Sequence, residues 1–263
     1  MPAKATLLAR TLIGDSECFG EVDDDRFHVV AGDIFGARRR TGQSLPLKDV
    51  TLGPPLAGVR FVNVMGGFIK PGRTRRPDRR PRWLPKQVNF PSGDGAPVVY
   101  PSILTGAMQM ESELAVVVGR TLSKASPDEA REAIFGWSVY NDWTAAEYGE
   151  NGYWATGKSI DGFASWGPWI RTDLTEERVM EGLAVTGTVN GERVQEGNTQ
   201  YLIFTPSETI SDVSHRITLF PGDVVALGTP PPAVDVQAGD HVVCEVEEVG
   251  VLRNDVIAEE TSS

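Results

Sequence analysis

Short apolar runs in this chain alternate with polar residues and turn formers far more often than they recur at helical spacing. FHVVAGDIF, VRFVNV (residues 59–64), MESELAVVVG and AVTGTV are each bounded by Gly, Pro, Asn or Asp, the pattern of strands closed by turns. Asn190-Gly191, between AVTGTV and ERV, predicts a tight hairpin. Pro221-Gly222-Asp223 and Ala238-Gly239-Asp240 punctuate two further strand pairs. Helical signals are few. Ser126-Pro127-Asp128-Glu129 is a capping box with proline at the first helical position, predicting a helix to about Phe135. Thr205-Pro206-Ser207-Glu208 repeats the device, with Ile210, Val213 and Ile217 as the apolar stripe. The expected class is therefore α+β and strand-rich. Residues 1–55 read as a small β-rich N-terminal module ending at Gly53-Pro54-Pro55, residues 56–258 as the main domain, and residues 259–263 as a disordered tail.

Composition narrows the function classes. A formal charge of -11 over 263 residues argues against nucleic-acid binding and against docking on anionic membranes. No run approaches the roughly 20 apolar residues of a membrane span. The opening MPAKATLLARTLIG has no apolar block leading to a small-residue cleavage site, and Cys18 and Cys244 cannot build a disulfide framework. A cytoplasmic address with reduced thiols is the expectation. The segment GGFIKPGRTRRPDRRPRWLPKQ reads as a loop carrying Arg73, Arg75, Arg76, Arg79, Arg80 and Arg82. It is either a solvated surface loop or a lid whose guanidinium forks capture an anion.

Candidate chemistry concentrates in MESELAVVVG. In a strand Glu111 and Glu113 leave the same face. Two ionised carboxylates side by side in an apolar strand repel, and each carries a desolvation cost unless a cation sits between them. A divalent ion shared with a third carboxylate, Asp142 in VYNDW, resolves the conflict. All-oxygen ligation favours Mg²⁺, with Mn²⁺ or Ca²⁺ as alternatives, over zinc. Lys158, following a glycine in GKSIDGF, is the candidate to add positive charge beside a bound anionic substrate. Gly152 to Ser159 also fits the P-loop pattern GxxxxGK[ST], but its lead-in AAEYGEN is polar and its lead-out IDGFASWGPW cannot start a helix. Nucleotide binding is not expected.

Taken in order, ESELAVVVGR, GWSVYNDWTAAE, GKSIDGFASWGPWI, TVNGERVQEGNT, IFTPSETISDVSHRITLFPGDVVALGTPPP and AGDHVVCEVEEVGVLRNDV resemble the fumarylacetoacetate hydrolase superfamily over roughly residues 57–258. The resemblance implies a mixed β-roll core, a homodimer, and a Mg²⁺ site of Glu111, Glu113 and Asp142. It implies further that Lys158 meets substrate oxygens and that Thr229 in LGTPP binds a substrate carboxylate. The substrate would be a small oxo acid or dicarbonyl compound.

The chain departs from the family pattern in two places. Hydrolytic members share NYxxHxxE, whose histidine and glutamate activate water; here Asn63 to Lys70 puts Gly67 at the histidine and Lys70 at the glutamate. His28, His215 and His241 each read as structural. Where the family shows NDxSARD, this chain has Asn141 to Glu147, with Ala146 at the arginine and Glu147 retaining the acid as a replacement base. The expected activity is metal-dependent stabilisation of an enolate in tautomerisation, isomerisation, decarboxylation or intramolecular condensation. A C–C hydrolase using another base, and a non-catalytic binding protein on the same fold, are the alternatives.

Overall fold

The computed structural model describes residues 6–13, 16–69 and 80–260. Four strands open the chain as an antiparallel meander: β1 (Leu7–Ile13), β2 (Ser16–Asp23), β3 (Arg26–Gly32) and β4 (Arg38–Pro46). Then come β5 (Phe61–Val64), β6 (Trp83–Lys86), β7 (Val98–Tyr100), β8 (Met108–Met110) and β9 (Ser112–Val118). The middle of the chain supplies β10 (Ile134–Asp142), β11 (Thr144–Ala145), β12 (Ala164–Arg171), β13 (Ala184–Val189) and β14 (Glu192–Asn198). Last are β15 (Val224–Ala226), β16 (Val234–Val236), β17 (His241–Val246) and β18 (Gly250–Ala258). Helices are short: α1 (Pro127–Arg131), α2 (Ala146–Glu150), α3 (Trp154–Lys158), α4 (Glu176–Glu181) and α5 (Pro206–Ser214).

Among the described residues a ten-stranded sheet runs β4-β3-β2-β1-β12-β10-β9-β15-β5-β6. All seven residues of β9 are buried. A strand so placed must be apolar on both faces, which is why its pattern is a run rather than an alternation. Leu114, Val116 and Val118 enter the main core, while Ala115 and Val117 pack on the opposite side with Phe61, Tyr140 and Trp166. The N-terminal meander extends this sheet through β1, antiparallel to β12, and closes a small core of Ala9, Val22, Phe27 and Val29. A second sheet, β14-β13-β17-β18-β7, covers the main core, and a three-stranded one, β11-β8-β16, flanks the carboxylates.

Both capping boxes form: Glu129 N donates to Ser126 Oγ while Glu129 Oε2 accepts from Ser126 N, and Thr205 and Glu208 do the same. The helices they start are shorter than the sequence suggests. The first stops at Arg131 because Ile134 already pairs with Val118 in the sheet, so the expected extension to Phe135 is lost to strand pairing. In α5 Ile210 and Val213 are buried, but Ile217 lies beyond the helix end, 38% exposed. The Asn190-Gly191 hairpin appears as expected, with both residues at positive φ (52° and 84°).

Candidate metal centre

The glutamate pair does not sit in one unbroken strand. The ladder is interrupted at Glu111, between β8 and β9, and the end of β10 pins the break. Glu111 N donates to Asn141 Oδ1 (2.9 Å), and Asp142 N donates to Glu111 O (3.0 Å). Glu113 pairs across the sheet with Tyr140, two residues before Asp142. One ligand oxygen from each of Glu111, Glu113 and Asp142 lies within 4.8 Å of the other two. Three acidic side chains separated by as many as 31 positions thus converge through one strand pairing.

Two ammonium groups face this cluster. Lys158, the last residue of α3, donates from Nζ to Glu111 Oε2 (2.7 Å), to Asp142 Oδ2, and to Thr144 Oγ1 (2.7 Å). The glycine before it lets α3 lie on β11, since a β-carbon at Gly157 would stand 2.7 Å from Ala145 O. The P-loop-like run is accordingly a one-turn helix whose lysine is committed to carboxylates, not a phosphate cradle. The second ammonium escaped the sequence reading. Lys86, at the end of β6 with a fully buried side chain, donates to Asp142 Oδ1 (2.5 Å), Phe163 O (2.6 Å) and Trp143 O (3.2 Å). Its one sequence signal is a lysine closing the strand WLPK on the buried phase of the alternation.

Charge is unevenly distributed across the cluster. Burial pushes the Asp142 carboxyl up, but Lys158 and Lys86 together outweigh burial and hold it at about 2. Burial opposes the Lys158 ammonium, yet Asp142 and Glu111 raise its pKa above the ordinary lysine value, so it stays charged. Lys86 is lowered, because burial exceeds the attraction of Asp142. Glu113 is raised well above the usual carboxylate range, first by burial and then by the charges of Asp142 and Glu111. Glu113 Oε2 accepts from a backbone amide, Gly228 N at 2.7 Å, rather than from an ammonium. Glu113 is therefore the carboxyl whose ionised form lacks a cationic partner, and a hard dication on this oxygen cluster would fit both its charge and its donor type.

A cavity of about 360 Å³ opens onto Glu111, Glu113, Lys158 and Thr229. Val64, Met65, Phe68, Trp154, Pro231 and Ala233 give it apolar walls, and Arg82 stands at its edge. Thr229 Oγ1 donates to Ser112 O (3.0 Å) and accepts from Gln195 Nε2 (3.0 Å). Trp154 lines the cavity, whereas Trp143 is buried and donates to Ser165 Oγ, and Trp83 donates to Asp212.

Glu147, expected as a replacement base, is not brought to the cavity. It starts α2, whose direction carries the carboxylate to Thr105, where the backbone N–H (3.0 Å) and the hydroxyl both donate to it. His28 lies in β3, His215 caps α5 with Nδ1 2.8 Å from Ser211 O, and His241 Nδ1 is 2.7 Å from Asp255. None of the three borders the cavity. At Gly67, the position of the family histidine, a β-carbon would stand 1.9 Å from Leu227 O. Lys70, Arg73, Arg75, Arg76 and Arg79 lie outside the described residues. No described helix is long and apolar enough to cross a membrane.

Residues 63–257 match the family model described as fumarylacetoacetate (FAA) hydrolase C-terminal, and residues 7–55 match one described as Rv2993c-like, N-terminal. The 4-hydroxyphenylacetate degradation bifunctional isomerase/decarboxylase of Salmonella dublin is 42% identical over 160 residues, 59% of this chain and 37% of that protein. A mitochondrial oxaloacetate tautomerase of Bos taurus is 37% identical over 159 residues, 56% of this chain and 50% of that protein. Each match thus spans half or less of the relative's length. The crystal structure of 2-hydroxyhepta-2,4-diene-1,7-dioate isomerase from Mycobacterium marinum superposes with a TM-score of 0.88 at 27% identity, covering 97% of this chain and 100% of that one.

Proposed function

Because the chain belongs to the fumarylacetoacetate hydrolase family, we propose that it is a metal-dependent enzyme stabilising the enolate of a small 2-oxo acid or 1,3-dicarbonyl compound. Glu111, Glu113 and Asp142 would hold Mg²⁺ or Mn²⁺. When bound, such a cation supplies Lewis-acid charge at the substrate's carbonyl oxygens. The rest is the work of this chain's own side chains. Lys158 keeps a fixed ammonium at the cavity, where negative charge builds as a proton or CO₂ leaves. Thr229 offers a hydroxyl to the substrate carboxylate, and the apolar walls exclude water from the carbon skeleton.

The carrying observation is a cavity with carboxylates and a lysine but no histidine among its described lining residues. Hydrolysis needs a base to activate water, and Gly67 has no room for one. Tautomerisation, double-bond isomerisation and decarboxylation need no activated water. The activities named for the Salmonella and bovine relatives, isomerase/decarboxylase and tautomerase, support that choice. The test is turnover of oxaloacetate, followed as enol–keto exchange and as CO₂ release, with Mg²⁺, with Mn²⁺ and with chelator. Metal-dependent turnover that Glu113→Gln abolishes is the expected result. Metal-independent turnover, or ¹⁸O from solvent in the product carboxylate of an acylpyruvate, would overturn the reading.

A further inference from the structure

Behind the cavity lies a fully hydrogen-bonded side-chain amide that the proposed chemistry does not call on. Gln195, on β14, is 2% exposed. Its Oε1 accepts from Ser112 N (2.9 Å), the peptide N–H between Glu111 and Glu113. Its Nε2 donates to Thr229 Oγ1 (3.0 Å), Pro230 O (3.0 Å) and Pro232 O (2.6 Å). Two carbonyl oxygens on one side and an N–H on the other fix which end is nitrogen. The strand leaves room for this group, since a β-carbon on neighbouring Gly187 would stand 3.1 Å from Gln195 Oε1.

We propose that Gln195 is the positioning residue that makes Thr229 a hydrogen-bond donor toward the cavity. A hydroxyl has one proton and two lone pairs. Gln195 occupies a lone pair of Thr229 Oγ1, and the hydroxyl proton in turn faces Ser112 O at 3.0 Å. An incoming carboxylate oxygen can take over that proton, whereas a donor group would have to compete for the one lone pair that Gln195 leaves. The same amide clamps the Gly228–Pro232 loop against the first residue of β9, so Thr229 and the glutamates keep one spacing. This inference rests on the reading of Thr229 as the carboxylate contact.

The test is oxalate binding to Mn²⁺-loaded protein by titration calorimetry, with Mn²⁺ affinity measured separately. Thr229→Val and Gln195→Met should each weaken oxalate binding about tenfold, the scale of one hydrogen bond to a charged acceptor. In the Thr229→Val background, Gln195→Met should add less than about twofold, since the two act through one hydroxyl. Gln195→Glu, the closer isostere, should weaken oxalate more than Gln195→Met, because a carboxylate captures the hydroxyl proton; a packing role would give the opposite order. Should Gln195→Met not fold, the Gln195→Glu comparison with wild type decides alone. Equal losses from Gln195→Met in both backgrounds, or oxalate affinity preserved in Gln195→Glu, would overturn the proposal. Oxalate affinity unchanged in Thr229→Val would instead refute the role assigned to Thr229 itself.

Discussion

Gly67 and Leu227 meet backbone to backbone: a β-carbon on Gly67 would stand 1.9 Å from the Leu227 carbonyl oxygen. The contact is continued by Gly228, whose own β-carbon would lie 2.7 Å from Gly67 N. The segment after β5 is therefore pressed onto the loop that carries Thr229, with no room between them for a side chain. The missing histidine is thus more than a substitution that a single exchange could reverse.

Gly67→His should not confer hydrolysis. Overpacking of this kind costs about 1–3 kcal/mol, so the variant should denature several degrees below wild type. Hydrolysis of an acylpyruvate by a well-folded Gly67→His protein would show that the two segments separate easily.

Metal-free stability should depend on pH through Glu113 and Asp142 in opposite senses. Glu113 is raised well above 4.5 by burial and then by Asp142 and Glu111. A carboxyl raised in the folded state favours folding below its ordinary pKa, and that contribution disappears as pH rises through the folded value. Asp142 is held at about 2, below its ordinary 3.8, so its contribution is present above 3.8 and is lost as pH falls toward 2. With chelator present, the denaturation midpoint should fall as pH rises above the ordinary 4.5 of Glu113, and Mn²⁺ should restore it. Glu113→Gln should flatten that slope; an unchanged slope would assign it to another group.

Lys86→Met should destabilise the protein by about 1–3 kcal/mol, since it removes one of the two ammonium groups on Asp142 and leaves the buried Phe163 and Trp143 carbonyls without this donor. Asp142 would keep Lys158 but lose its second ammonium, a charge that a dication can also supply. The loss in Tm should therefore be larger in chelator than in saturating Mn²⁺. Equal losses in both would mean that Asp142 lies outside the metal's reach.

Lys158→Gln should lower kcat about 100- to 1,000-fold, the scale for removing a preorganised charge from a developing oxyanion. Because Asp142 and Glu111 outweigh burial and hold Lys158 in the ammonium form, wild-type activity should show no lysine titration near neutral pH. A rise in KM with kcat preserved would reduce Lys158 to an anchor for the carboxylates.

The sequence by itself determined the strand-rich class, the two capping boxes, the Asn190-Gly191 hairpin and the candidacy of Glu111, Glu113, Asp142 and Lys158. These are local matters: backbone sterics at a turn, reciprocal hydrogen bonds four residues long, and acids placed where an apolar run cannot tolerate them unpaired. Only the tertiary structure decided what surrounds them. Lys86 and Gln195 look like ordinary polar residues of short strands until β6 and β14 are packed against the carboxylates. Glu147, five residues from Asp142 in sequence, is turned away to Thr105 by the start of a helix. Helix α1 ends early because strand pairing claims Ile134. The physical reason is the same throughout: partners that neutralise a buried charge, or overrule a helix, come from segments distant in the chain, and no local pattern encodes which of them will arrive.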